Sequence, residues 1–271
     1  MTRPADASFR FTHAICRAPA ASITRGLRAV DTGDPDLEPM RRHHADYVAA
    51  LRSTGAEVTV LPALDAYPDS VFVEDTALCL PEGAVIMRPG AASRLGEAGE
   101  MAPVLETFYA RVARISDEEA FIEGGDILVT GREILVGRSA RTNARGIAAL
   151  ERITSAWGHA VREVRTPPGV LHFKTDCSLL DAETILATPR LDASGCLAGY
   201  RVIHTAPGEE AAANAIRFND LVIMAAGFPR TEAAVRAAGF RVKTIGNSEC
   251  AKLDGGMSCL SLRFSPKGPR G

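Results

Sequence analysis

The sequence predicts an α/β ring of five repeated units, closed by its own terminal strands. Three observations carry this expectation. One pattern recurs along the chain: a polar residue opens a short strand, a turn leads to a second strand ending near Arg or Pro, and a helix follows. The units open at Glu74, Glu123, His172, Asn214 and Cys259, with spacings of 49, 49, 42 and 45 residues, regular enough for a structural period. The fifth unit is cut short at SCLSLRF, and its missing half stands at the other end of the chain. A last strand pairing with the first would leave the ring without an exposed edge.

Taken in order, FRFTHAICRAPAASITRGL (9–27) reads as the second half of a unit, a strand followed by Arg and Pro. DLEPMRRHHADYVAALRSTG supplies a helix with apolar spacing at Tyr47, Val48 and Leu51, which places His43 and His44 on a solvated face. AEVTVLP closes that unit as a strand. VEDTALCLPEGAVIMRPGAASR, IEGGDILVTGREILVGRSARTNARGIAAL, LHFKTDCSLLDAETILATPR and AANAIRFNDLVIMAAGFPRTEAAVRAAGFRVKTI are the four complete units. No linker or low-complexity segment interrupts them, so residues 9–264 are expected to form one catalytic domain and the tail 265–271, SPKGPRG, to be disordered.

Bulk composition narrows the function. The chain has 271 residues, 46% hydrophobic, with 31 basic against 33 acidic side chains and a net charge of -2. Without a basic block, neither a nucleic-acid partner nor a membrane surface is expected. The opening MTRPADASFR lacks the apolar core of a signal peptide, so the expected location is the cytoplasm. The six cysteines, at 16, 79, 177, 196, 250 and 259, form no CxxC pair and have no histidine at ligand spacing, which argues for free thiols over a zinc site or a disulfide framework. EGGD at 123–126 lacks the spacing of a nucleotide fingerprint. No metal, ATP or NAD is expected, and small-molecule chemistry remains.

In a ring of equivalent units, residues at equivalent positions point to one axis, so Glu74, Glu123, His172, Asn214 and Cys259 should converge. A cysteine, a histidine and a carboxylate together make a nucleophile, a proton shuttle and an orienting acid. Singly, each has a plain reading: Cys259 as a small core hydrophobe, His172 as a core histidine, Glu123 as a turn acid. The other histidines, 13, 43, 44, 159 and 204, lack such partners in the sequence. PDSVFVEDTAL (68–78) crowds Asp69, Glu74 and Asp75 around an apolar strand, and carboxylates so close call for a cation. A metal, a salt bridge with Arg94 or a bound organic cation would each serve. Arg94 and Arg141 occupy like positions after second strands, and their rigid forks suit a carboxylate. Together these groups describe a zwitterionic ligand with an extra cation, arginine or a derivative.

PDSVFVEDTAL, RPGAASRLGE, EGGDILV, GRSARTNARG, VLHFKT and KLDGGMSCLSLRF resemble the guanidine-modifying superfamily, and most closely the dimethylarginine dimethylaminohydrolases, over about residues 9–264. The resemblance implies the five-bladed α/β propeller, or pentein, and cofactor-free hydrolysis of asymmetric dimethylarginine and monomethylarginine to citrulline and an amine. It also implies Cys259 as nucleophile, His172 as acid and base, Glu123 as its partner acid, Asp75 at the guanidinium, Arg94 and Arg141 at the substrate carboxylate, and Asp69 at the amino group, and Glu74 is expected among the substrate-binding residues. Residues 20–35 read as a lid with Leu27 reaching the substrate.

One departure bears on the substrate. Arginine deiminases resembling this chain carry a second guanidinium acid two residues after the histidine, where this chain has Lys174. Asp176, two residues further on, shares its face if the segment is a strand, and so could replace that acid. The alternatives that stay open are an arginine deiminase, an amidinotransferase, and a non-catalytic propeller that binds a partner. A homodimer is likewise open.

Overall fold

Each unit carries two short apolar strands joined by a tight turn and a third strand delivered by a helix, and each folds as the same three-stranded sheet. The computed structural model describes residues 6 to 267. In the first complete unit Ala77–Leu80 runs antiparallel to Gly83–Ile86, and Val112–Arg114 returns parallel to it after the helix Leu95–Glu106. The next uses Ile127–Val129, Ile134–Arg138, the helix Ala144–Ser155 and Val161–Arg165. Then come Cys177–Leu179, Thr184–Ala187, the single turn Pro189–Asp192 and Arg201–His204. The last complete unit has Ile216–Phe218, Leu221–Ala225, Pro229–Ala237 and Arg241–Ile245. Middle strands such as GAVI, TILA and LVIMA are buried throughout because both faces of each sheet are covered.

The fifth sheet closes the ring as expected. Leu262–Phe264 pairs antiparallel with His13–Arg17, in the register His13 to Phe264 and Ile15 to Leu262. Glu57–Leu61 then pairs parallel with His13–Arg17, after the helix Leu37–Arg52. Five sheets of three strands in this arrangement are the pseudo-fivefold α/β propeller.

A 3-10 turn precedes the first strand of every sheet: Val73–Thr76, Gly124–Asp126, Phe173–Thr175, Glu210–Ala213 and Ser258–Leu260. Neighbouring turns touch in order around the axis. The five matching residues, Glu74, Glu123, His172, Asn214 and Cys259, lie within these turns or immediately next to them, so the period read from the sequence is what carries them inward.

Two expectations need correction. His44 is buried, because it shares the core stripe of its helix with Met40, Tyr47, Val48 and Leu51, and burial pushes its imidazole down to about 4. The start of the tail is also anchored. Lys267 donates its backbone N–H to Pro81 (2.9 Å) and its Nζ to Glu82 (2.7 Å), and Ser265 Oγ donates to the Arg10 carbonyl (3.2 Å). Residues 268–271 lie outside the described part.

Closure rests on apolar packing at the final strand. Phe264 is fully buried, stacked on His13 at 5.6 Å and meeting Phe108 edge-on at 5.2 Å. Phe264→Ala should therefore destabilise the protein by about 3–5 kcal/mol in urea unfolding. A loss below about 1 kcal/mol would mean that this strand is not what holds the ring closed.

Candidate active site

Neighbouring residues of one tight turn point in different directions, and here that divides the axial groups between two cavities. A cavity of about 160 Å³ is lined by Cys259, His172, Asp75, Asp69, Arg94 and Arg141, with Leu27 and Asp254 at the loops around it. A second, of about 110 Å³, runs along the inner strands and is lined by Glu74, Lys174, Ser258 and Arg263. Asp75 thus faces one cavity and Glu74 the other. Glu74, expected among the substrate-binding residues, lies behind Asp75, accepting from Lys174 Nζ (2.5 Å) and Arg263 (2.5 Å). Both acids lie in the 3-10 turn Val73–Thr76, where no strand alternation signals which of them faces Cys259.

At the first cavity His172 Nε2 meets Glu123 Oε2 at 2.6 Å. Glu123 is completely buried, and its other oxygen accepts from the Gly90 N–H (2.9 Å) and from Arg141 (3.4 Å). Burial alone would lower the basicity of His172. The charge of Asp75 and the bond to Glu123 outweigh it and push the imidazole up to about 9. Burial would raise Glu123, but its bond to His172 and the charges of His172, Arg94 and Arg141 bring it down to about 2. Burial, with Glu74 and Asp75 close by, pushes the Cys259 thiol up to about 11. At neutral pH the resting site therefore holds a neutral thiol facing an imidazolium.

EGGD has a steric purpose rather than a phosphate-binding one. A Cβ on Gly124 would lie 1.9 Å from the Glu74 carbonyl oxygen, and one on Gly125 would lie 2.7 Å from His172 Nδ1. Only glycines let three turns approach this closely. Gly125 N–H also donates to Asp75 Oδ1 (2.8 Å), while Asp126 accepts from the Phe173 N–H (2.8 Å) and so holds the histidine-bearing turn.

The two arginines differ. Arg94 is buried and engaged by Asp75 (2.6 Å), by Glu97 (2.7 Å) and by the Phe72 carbonyl (3.0 Å), so the salt bridge weighed from sequence does form. Arg141 is more open, and among the described residues its side chain holds only the longer bond to Glu123. Asp69 Oδ1 accepts from the Leu27 N–H (3.0 Å), and burial raises its carboxyl above the ordinary range. Asp176 does not reach the cavity. The segment after His172 is a 3-10 turn, not a strand, and Asp176 forms a two-pronged pair with Arg190, both bonds at 2.6 Å.

Sequence reasoning missed Asp254, whose carboxylate accepts from the Ala29 N–H (2.6 Å) and ties the 26–30 loop to the segment leading to Cys259. Its backbone is left-handed, at φ 57°, which the Asp-Gly pair in KLDGG could have suggested. Arg263 was missed as well, having been read only as part of a strand. Donor atoms of Asp75, Glu123 and His172 lie within 4.8 Å of one another, a spacing a cation could span. Those carboxylates, however, are already engaged by Arg94, Gly125, His172 and Gly90.

The chain is similar to known proteins over nearly its whole length. A family model described as N,N dimethylarginine dimethylhydrolase, eukaryotic, matches residues 32–166. The N(G),N(G)-dimethylarginine dimethylaminohydrolase of Pseudomonas aeruginosa is 39% identical over 255 residues, covering 94% of this chain and 100% of the relative. A solved structure of the Pseudomonas aeruginosa enzyme, a cysteine-to-serine mutant complexed with citrulline, superposes with a TM-score of 0.91 at 38% identity, covering 94% of this chain and 100% of the other. A histidine-to-glycine form carrying an S-methyl-L-thiocitrulline adduct matches with the same TM-score, identity and coverage.

The histidine–glutamate pair makes a prediction about pH. Glu123→Gln removes a negative charge and weakens the acceptor, so the His172 titration should move from about 9 toward its ordinary value of 6.5, as followed by NMR of the labelled imidazole. In the parent protein the raised His172 stabilises the fold fully below about 6.5, and that contribution is lost as pH rises through about 9. An unmoved titration in the variant would remove Glu123 as the cause.

Proposed function

The chain belongs to the dimethylarginine dimethylaminohydrolase family, and on that premise we propose that it hydrolyses asymmetric dimethylarginine and monomethylarginine to citrulline, releasing dimethylamine or methylamine. The observation that carries this reading is the single cavity in which Cys259, His172 and Asp75 meet, with Glu123 bound behind His172. A thiol pushed up to about 11 is a poor nucleophile at neutral pH. A substrate guanidinium bound at Asp75 places a positive charge beside the sulfur, favours the thiolate and releases the thiol proton to solvent.

The thiolate then adds to the guanidinium carbon, forming a C–S bond and a tetrahedral adduct. His172, an imidazolium at rest, donates its proton to the departing amine as the C–N bond breaks, and leaves an S-linked thiouronium on Cys259. Neutral His172 next takes a proton from water, whose oxygen adds to the same carbon. Collapse breaks the C–S bond and restores the thiolate, and the remaining hydroxyl proton passes to solvent as citrulline is freed. Water is the only co-reactant. In this reading Arg141, with its fork open, meets the substrate carboxylate, and Arg94 both braces Asp75 and adds positive charge at the same end. Asp69 and the Leu27 segment hold the amino group. No described helix is long and apolar enough to cross a membrane. The proposal places the enzyme in the cytoplasm, acting on a free amino acid.

Substrate choice follows from Lys174 and Asp176. Lys174 points to Glu74 in the second cavity, and Asp176 is held by Arg190, so Asp75 remains the guanidinium acid of this pocket. One side of the guanidinium is then free to carry methyl groups. With purified protein, asymmetric dimethylarginine and monomethylarginine should be turned over with higher kcat/KM than arginine or the symmetric isomer, and the released amine should be dimethylamine or methylamine. Ammonia release from arginine at equal or higher kcat/KM would make the protein an arginine deiminase.

A further inference from the structure

Asn214 opens the fourth repeat, yet the chemistry above gives it no part. Its position is nonetheless fixed closely. Asn214 Oδ1 accepts from the backbone N–H of Ser258 at 2.9 Å. Because a backbone N–H can only donate, that bond sets the amide orientation and turns Nδ2 toward Cys259 Sγ, 3.9 Å away. The same sulfur accepts from the Gly256 N–H at 3.5 Å and lies 4.0 Å from Ser258 Oγ. Gly256 makes the approach possible, since a Cβ there would stand 2.2 Å from the Asn214 amide. Asn214 and Ser258 are both buried, so these dipoles act with little screening from water.

The geometry points to Asn214 as a further catalytic residue, the side-chain member of a three-donor hole, with Gly256 N–H and Ser258 O–H, that holds the Cys259 thiolate as it forms and again as it leaves the thiouronium. A hole of fixed donors aimed at a developing negative charge is worth more in a buried site than in water. It also answers a problem set by the surroundings. Glu74 and Asp75 on one turn oppose charge on the sulfur, and Lys174 on another favours it. His172, Arg94, Arg141, Asp69 and Asp254 share the cavity. The substrate cation occupies the side of the sulfur that faces this cavity, while the Asn214 amide approaches from the turn behind. Bound substrate and the three donors therefore act on the thiolate together without competing for space.

The inference rests on Cys259 as nucleophile, and its test separates the two claims. Iodoacetamide alkylation, mapped to the Cys259 peptide across pH, reads the sulfur without any turnover. Asn214→Asp keeps the acceptor for Ser258 N–H and replaces the donor with a negative oxygen, so the alkylation midpoint should move up by about one pH unit or more. Asn214→Ala should lower kcat for dimethylarginine by about tenfold to a hundredfold with KM held within about threefold. An unmoved alkylation midpoint in Asn214→Asp overturns the inference. So does a fall in kcat matched by an equal rise in KM and a drop in melting temperature, since Asn214 would then only support the loop. If Cys259→Ser stays active, it is the nucleophile reading that fails, whatever the alkylation profiles show.

Discussion

Five short turns have to meet at one axis, and most of the molecule serves that requirement. Each sheet delivers a 3-10 turn inward, and the turns pack closely enough that Gly124, Gly125 and Gly256 have no room for a side chain. The ring must close for the two ends of the chain to stay in register, which the pairing of Leu262–Phe264 with His13–Arg17 in the fifth sheet achieves. Tyr47 ties the first helix to the same place by donating to the Met257 carbonyl (2.9 Å), two residues before Cys259. Backbone packing thus fixes the turn that bears Cys259.

The axis also concentrates charge. Asp75, Glu97 and Glu123 are buried with Arg94 and His172 around one cavity, and Glu74 is buried with Lys174 and Arg263 at the other. Burial of so many charges is costly unless each is paired, and nearly every one is. Burial, with Glu74 and Asp75 close by, holds the thiol of Cys259 neutral, and Asp75 helps hold His172 protonated, so the resting site waits for a cation. In the proposed reaction the substrate guanidinium supplies it, and thereby turns on the thiol that attacks it. Activation by the bound substrate keeps the sulfur unreactive toward other electrophiles between turnovers.

Much of this was legible in the sequence, for physical reasons. A repeat of 42 to 49 residues is set by one sheet and its helix, so it survives divergence of the side chains, and matching positions named Glu123, His172, Asn214 and Cys259 before their contacts were known. What stayed hidden depended on direction or distance. A turn gives no simple alternation, so the outward course of Glu74 and the withdrawal of Asp176 to Arg190 were not readable. The latch between Asp254 and Ala29 spans 225 positions and leaves no local signal. His44 was placed on the wrong face because a polar residue on a core stripe looks solvated until the stripe's partners are known.

The central claim is that the guanidinium carbon passes through a bond to Cys259 after the amine has left. Acid quenching at intervals across a single turnover of asymmetric dimethylarginine, followed by peptide mass mapping, tests it most directly. The account predicts a transient adduct on the Cys259 peptide with the mass of the substrate less dimethylamine, decaying as citrulline appears. Citrulline formation with no such adduct at any interval, or an adduct on another residue, would contradict it.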